Sequence, residues 1–262
     1  MLVTIDVGNT QTVMGLFQGE NLVDQWRLST ARERTTDEYR LFFDGLLRQD
    51  GYHLDQVKGV ALSSVVPEAK EALTAMAHEM VDGEVLVIGP GVKTGMAINI
   101  DMPHEVGADR VVNAVAAYAK LKSACIIVDF GTATTFDCIS AKGEYLGGAI
   151  SPGIGTALDA LVTRAAKLPR VEIGKPRTAI GRNTVESMQS GILYGYVSLV
   201  DGLVKRLSNE IGGEVGVIAT GGLAGTIGSE STTIQEVDQN LTLEGLRLVY
   251  LRNLHPSSPP SS

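Results

Sequence analysis

The sequence predicts an α/β protein built as two related lobes, each a mixed sheet flanked by helices. Three observations carry this. Short apolar runs of strand length alternate with amphipathic stretches of helical period. One strand–turn–strand motif occurs twice at a constant offset, the mark of internal duplication. The 262 residues exceed one typical domain of about 150 residues and fall short of two.

In chain order, Leu2 to Ile5 is an apolar strand, Asp6-Val7-Gly8-Asn9-Thr10-Gln11-Thr12 a polar turn, and Val13 to Phe17 the returning strand. Ala124 to Val128, Asp129-Phe130-Gly131-Thr132-Ala133-Thr134-Thr135 and Phe136 to Ile139 repeat that design. Asp6 aligns with Asp129, Gly8 with Gly131 and Thr12 with Thr135. Each copy reads as a β-hairpin whose tip carries one carboxylate and several hydroxyls. In the first lobe, Trp26 to Ser29 is a third strand, and Thr36 is the expected N-cap of a helix through Leu46. Val57 to Ser63 and Val85 to Ile88 read as short buried strands around a helix from Ala69 to Met80, and Gly107 to Lys120 as a helix closing the lobe. In the second, Tyr145 to Ile150 is a strand, Thr156 to Ala166 and Glu186 to Leu207 are helices, Val215 to Ala219 is a strand, and Leu243 to Leu254 is a final helix. The expected organisation is a lobe over 1–120, a lobe over 121–254, and a disordered Pro/Ser tail over 255–262. A second hairpin turning about Gly131-Thr132 sets Cys125 opposite Cys138, both expected as free buried thiols in a reducing cytosol.

Composition narrows the function. The net charge of −8 disfavours nucleic-acid and membrane-surface partners, while leaving room for a local anion pocket. No apolar run approaches the ~20 residues of a membrane span. Met1-Leu2-Val3-Thr4-Ile5 lacks the basic start of a secretory signal, so a cytoplasmic location is expected. Two cysteines are too few for a disulfide framework or a four-cysteine zinc site, and His53, His78, His104 and His255 have no metal-ligand spacing. Glycine is in excess at 30 residues, which suggests tight turns or close backbone approach to a ligand.

The hairpin tips carry the chemistry. Small hydroxylated and amide side chains beside glycines let backbone N–H groups and hydroxyls reach phosphate oxygens, and an Asp can anchor the cation that neutralises them. One such turn alone is equally an ordinary hairpin; two in matching context point to phosphate. Thr220-Gly221-Gly222 after a buried strand could admit a flat base and ribose, or serve as a close-packed strand-to-helix turn. No P-loop is present, nor a Rossmann glycine pattern after the first strand. Gly107-Ala108-Asp109-Arg110 puts a carboxylate at a helix start. Such a pair alone is commonly a helix-dipole preference; in phosphoryl transfer it could accept the proton of the attacking hydroxyl.

The two Asp-x-Gly hairpins with Thr220-Gly221-Gly222 resemble the acetate and sugar kinase, heat-shock-70 and actin superfamily. That resemblance implies the ribonuclease H-like, actin-like ATPase architecture. Asp6 to Thr10, Glu105 to Asn113, Asp129 to Thr135, Gly148 to Gly153 and Gly181 to Thr184, in this order, resemble the type III pantothenate kinase family up to about Leu254. The resemblance implies an ATP-dependent kinase acting on pantothenate, with ATP held between the lobes. By matching motif, Asp6, Val7, Gly8, Asn9, Thr10, Gln11, Thr12, Val13 and Thr132 would contact ATP phosphates, with Gly221 and Gly222 near adenosine. Asp6 would meet Mg²⁺ through ATP, and Asp129 a monovalent cation, K⁺ or NH₄⁺. Gly107, Ala108, Asp109, Arg110 and Thr184 would bind pantothenate, with Asp109 as proton acceptor and Arg110 suited to its carboxylate. Ile100 stands near where many members carry Tyr, giving apolar packing without a hydroxyl. The family implies a homodimer. Two rival readings are a sugar kinase of the same superfamily, against which the absence of a Cys-rich zinc motif speaks, and a catalytically silent nucleotide-binding regulator.

Overall fold

The computed structural model describes residues 1–254; the tail expected over 255–262 lies outside the described residues. The chain divides into two compact units. Among the described residues, the first comprises Met1–Gly95, Met102–Ala116 and 242–254; the second comprises Met96–Asp101 and Ala117–Leu241. The units are therefore not the two contiguous stretches expected from the repeat, because the last helix returns to the first unit.

In the first unit, β1 (Leu2–Val7), β2 (Gln11–Gln18) and β3 (Asn21–Ser29) form an antiparallel meander, followed by α1 (Thr36–Gln49), β4 (Gly59–Ser64), α2 (Pro67–Met80) and β5 (Glu84–Val87). The sheet order is β3-β2-β1-β4-β5, with β4 and β5 joining in parallel. Alternation along β1 and β2 turns Val3, Ile5, Val7, Met14 and Leu16 toward Tyr39, Phe43 and Leu47 of α1 and Leu73 and Met76 of α2, forming one buried core. α1 starts one residue earlier in its capping than expected. Thr35, not Thr36, is the N-cap: Glu38 N donates to Thr35 Oγ1 (3.3 Å) and Thr35 N donates to Glu38 Oε2 (2.7 Å). Only position 35 has a Glu three residues on, so only it can close a capping box.

After β5 in the chain come β6 (Ala97–Ile98) and α3 (Ala108–Leu121), which begins in the first unit and ends in the second. The second unit continues with β7 (Cys125–Phe130), β8 (Ala133–Ile139), β9 (Glu144–Pro152), α4 (Ile154–Arg164), α5 (Thr184–Ile211), β10 (Gly216–Gly221), α6 (Ala224–Gly228) and β11 (Glu236–Val237). Its sheet runs β11-β10-β7-β8-β9-β6. Without β6, this is the topology of the first sheet strand for strand. Ile126, Val128 and Phe130 of β7 and Phe136 and Cys138 of β8 pack on Leu193, Val197 and Val200 of α5. Tyr118 of α3 donates to Ala141 O (3.3 Å), and Lys120 binds Glu236 and Asp238.

α7 (Leu241–Leu254) covers the first sheet. The Tyr250 ring fills the space a side chain at Gly59 of β4 would need, Arg247 stands over the Phe17 ring, and Thr242 donates to Asn113 of α3 (2.7 Å).

The second hairpin departs from the expected register. Cys125 pairs with Ile139 and Cys138 with Ile126, because Gly131, Thr132 and Ala133 together make the turn. A one-residue slip reverses the face of every side chain. Cys138 thus points into the α5 core and Cys125 away from it. Both are buried thiols outside any disulfide, and burial pushes Cys125 up to about 12. Native protein is therefore expected to react negligibly with Ellman's reagent, and denatured protein to titrate both thiols without reductant. Substoichiometric titration after denaturation would reveal a disulfide and contradict this register.

Candidate functional site

In each unit the central strand ends in a carboxylate beside a hydroxyl from its parallel neighbour. β1 pairs with β4 so that Asp6 is opposite Ser63; β7 pairs with β10 so that Asp129 is opposite Thr220. Ser63 and Thr220 are both buried. Ser63 Oγ donates to Asp6 Oδ1 at 2.5 Å. Ser63 was not among the residues singled out from the sequence. Its signal is present, because Ser63-Ser64 ends an apolar strand as Thr220-Gly221 does, but the two crossovers differ in length, so no constant offset exposes the match.

The first hairpin tip runs from Gly8 to Gln11, closed by Gly8 N donating to Gln11 O (2.9 Å). Asn9, Thr10 and Gln11 are exposed, Thr12 and Val7 are buried, and Val13 is half-buried. Asp109, on the first turn of α3, belongs to the same unit. Its Oδ1 accepts from Arg110 N (2.9 Å) and occupies the space beside Gly107 that any side chain there would fill. Gly107, Ala108, Asp109 and Arg110 are all half-buried. Asp109 lies near enough to act on Asp6. Burial pushes the Asp6 carboxyl up to about 6, the Asp109 charge adds to this, and the Ser63 hydrogen bond opposes it. The first unit thus brings together the hairpin tip, Asp6 and Asp109.

In the second unit, Thr132 is the exposed tip of its hairpin and Asp129 is half-buried. Gly221 has φ +91°, and a Cβ there would meet Asp129 Oδ1 (2.6 Å) and the Phe130 backbone (2.7 Å). Gly222, in contrast, faces open space. Ile100 lies where β6 joins β9, against Gly147, with Asn99 N bonded to Tyr145 O (2.8 Å). Thr184 begins α5, after the N-cap Asn183, whose side chain accepts from Glu186 N (2.9 Å). It lines a groove with Arg182, Ser187, Leu161 and Leu168. The residues expected to bind pantothenate are therefore divided: Gly107 to Arg110 in the first unit, Ile100 and Thr184 in the second.

Magnesium typically takes one or two carboxylates plus nucleotide phosphates and waters. Asp6 fits such a role: its raised pKa records a desolvated carboxyl near a second negative charge, and a bound cation reverses both penalties. Among the described residues, no group of three or more His, Cys, Asp or Glu is arranged to hold a metal, and no helix is long and apolar enough to cross a membrane.

The family description "Type III pantothenate kinase" matches residues 2–206. This chain belongs to the type III pantothenate kinase family. A relative from Moorella thermoacetica named type III pantothenate kinase is 55% identical over 253 residues, covering 97% of this chain and all of the relative. Among solved structures, a putative 2-dehydro-3-deoxygalactonokinase from Sinorhizobium meliloti superposes with a TM-score of 0.61 at 12% identity, covering 98% of this chain and 100% of that one. A putative Baf family transcriptional activator from Campylobacter jejuni gives 0.59 at 17%, covering 96% and 98%. At such identities these likenesses concern the fold, which is the actin-like ATPase and sugar kinase architecture expected of the family.

The raised pKa of Asp6 makes a stability prediction. The folded protein holds the Asp6 proton more tightly than the unfolded chain, so this group lowers stability as pH rises from about 4 through about 6. Relative to wild type, Asp6→Asn is expected to stabilise the ligand-free protein at pH 7 by about 2–3 kcal/mol, with the difference vanishing near pH 4. Urea unfolding across pH 4–7.5 measures it. A pH-independent difference would show that Asp6 carries no such penalty.

Proposed function

We propose that this chain phosphorylates pantothenate with ATP, giving 4′-phosphopantothenate, the first step of coenzyme A biosynthesis. Membership of the type III pantothenate kinase family along nearly the whole chain carries the reading. The pairing of Asp109 with Asp6 at one end of the first sheet supports it. In the reaction, the 4′-hydroxyl oxygen of pantothenate bonds to the γ-phosphorus, the bond from that phosphorus to the bridging oxygen breaks, and ADP leaves with the electron pair. The hydroxyl proton passes to Asp109, which is half-buried and steadied by the Arg110 N–H. Backbone N–H groups and hydroxyls of 6–13 and Thr132 would bind the phosphates, with Gly222 the more open of the two glycines assigned to adenosine. A divalent ion held through Asp6 supplies neutralisation of phosphate charge. Asp129 would hold the monovalent cation. Arg110 and Thr184 would contact pantothenate, and Ile100 would pack on its apolar part. The working form is a homodimer in the cytoplasm, where ATP is available and the two buried thiols remain reduced.

A coupled assay for ADP tests the reading. Wild type with Mg²⁺, K⁺, ATP and pantothenate should turn over, and a panel of hexoses should not replace pantothenate. Asp109→Asn should lower kcat by at least about 10²-fold. Wild-type inactivity, preference for a sugar, or a fully active Asn variant would each sink the assignment. Omitting K⁺ and NH₄⁺ should depress the wild-type rate. In Asp129→Ala it should depress the residual rate no further; a retained response places the cation elsewhere.

A further inference from the structure

We propose that Thr30 and Thr156, which lie outside the ATP and pantothenate motifs, are positioning residues for ATP, each holding the backbone of one phosphate hairpin from outside it. The inference rests on the kinase reading above and concerns how the tips are kept in shape.

In the first unit, the chain leaving β3 turns back on the hairpin at Thr30. Its N–H donates to Thr10 O (3.0 Å), and its hydroxyl donates to Gly8 O (2.8 Å). The buried Thr12 hydroxyl lies 3.0 Å from Thr30 Oγ1; since Thr30 spends its proton on Gly8, Thr12 is the donor between them. With Gly8 N bonded to Gln11 O, three carbonyls of the tip are engaged by protein donors. A loop that is to hold phosphate must keep its carbonyl oxygens away from the anion and offer its N–H groups instead. Donors fixed to the carbonyls impose that orientation before a nucleotide arrives.

The second unit achieves the same end with different residues. Strand pairing makes Gly153 the counterpart of Thr30, since Ser29 is opposite Gln11 and Pro152 is opposite Ala133, the first residue of each returning strand. Gly153 N donates to Thr132 O (3.0 Å), as Thr30 N does to Thr10 O. Any side chain at 153 would collide with the carbonyls of Gly131 and Thr132, so no hydroxyl can come from this position. It comes instead from Thr156, one turn into α4, whose Oγ1 donates to the same Thr132 O (2.8 Å). The exchange leaves a trace. Thr134, the counterpart of Thr12 by pairing, is fully buried and its hydroxyl has no hydrogen-bond partner, because a glycine stands where Thr30 would be. Two lobes that have diverged in sequence thus each retain a hydroxyl clamp on a tip carbonyl.

The experiment measures steady-state kinetics and equilibrium binding of a fluorescent ATP analogue for wild type, Thr30→Val, Thr156→Val and Thr30→Ser. Valine removes the hydroxyl while nearly preserving shape. Each Val variant is expected to raise the ATP KM and the analogue Kd about tenfold, the scale of one lost hydrogen bond. The pantothenate KM should stay within about twofold and Tm within a few degrees, and Thr30→Ser should restore ATP affinity. Wild type that binds no analogue would defeat the kinase reading itself. If wild type binds, Val variants with unchanged ATP affinity overturn the positioning role alone. Parallel increases in both KM values with a fall in Tm and no rescue by serine would also overturn it, as the mark of general destabilisation.

Discussion

Asp6 is held in an environment that disfavours its own charge. It is desolvated at the end of a central strand, with a second carboxylate near and one serine hydroxyl in partial compensation. Such an arrangement lowers the stability of the ligand-free protein, a cost that a bound cation would offset. Much else serves to maintain it. The parallel pairing of β1 with β4 supplies Ser63, the start of α3 supplies Asp109, and Gly107 leaves the space its carboxylate occupies.

The second unit repeats the plan with altered parts: Asp129 for Asp6, Thr220 for Ser63, Gly153 and Thr156 for Thr30. What persists is the topology and the hydrogen-bonding pattern at the tips. The side chains differ: the Thr30 hydroxyl holds Gly8 O, and the Thr156 hydroxyl holds Thr132 O, the counterpart of Thr10 O. Duplicated folds constrain contacts more tightly than positions, and here the clearest evidence is the buried Thr134 hydroxyl left without its counterpart's partner.

Much of this was legible in the sequence. The hairpins, the order of the longer strands and helices, and the places of Asp6 and Asp129 at strand ends follow from apolar periodicity and the repeated Asp-x-Gly spacing, while Asp109 is drawn out by its place at a helix start and by the family resemblance. What was not legible depended on geometry that spacing does not encode. A turn of three residues rather than two shifts the second hairpin by one, which sends Cys125 and Cys138 to opposite faces. Whether Thr35 or Thr36 caps α1 turns on the reach of Glu38, and the T-x-x-E pattern would have decided it. Ser63 and Thr30 are distant in sequence from the atoms they hold, so only strand pairing brings them in. The very short β6, β11 and α6 are fixed by their neighbours and lack periodicity of their own.

The return of α7 to the first unit has a consequence for how the chain is made. A ribosome delivers the first sheet early, yet the residues of α7 that cover it, among them Leu243, Leu246, Val249 and Tyr250, follow the whole of the second unit in the chain. Until α7 is made, that sheet carries an apolar face without its cover, while all the residues of the second unit are already present. The first unit completes its fold only when α7 emerges, and a chain interrupted before residue 241 leaves the unit that was built first without its cover.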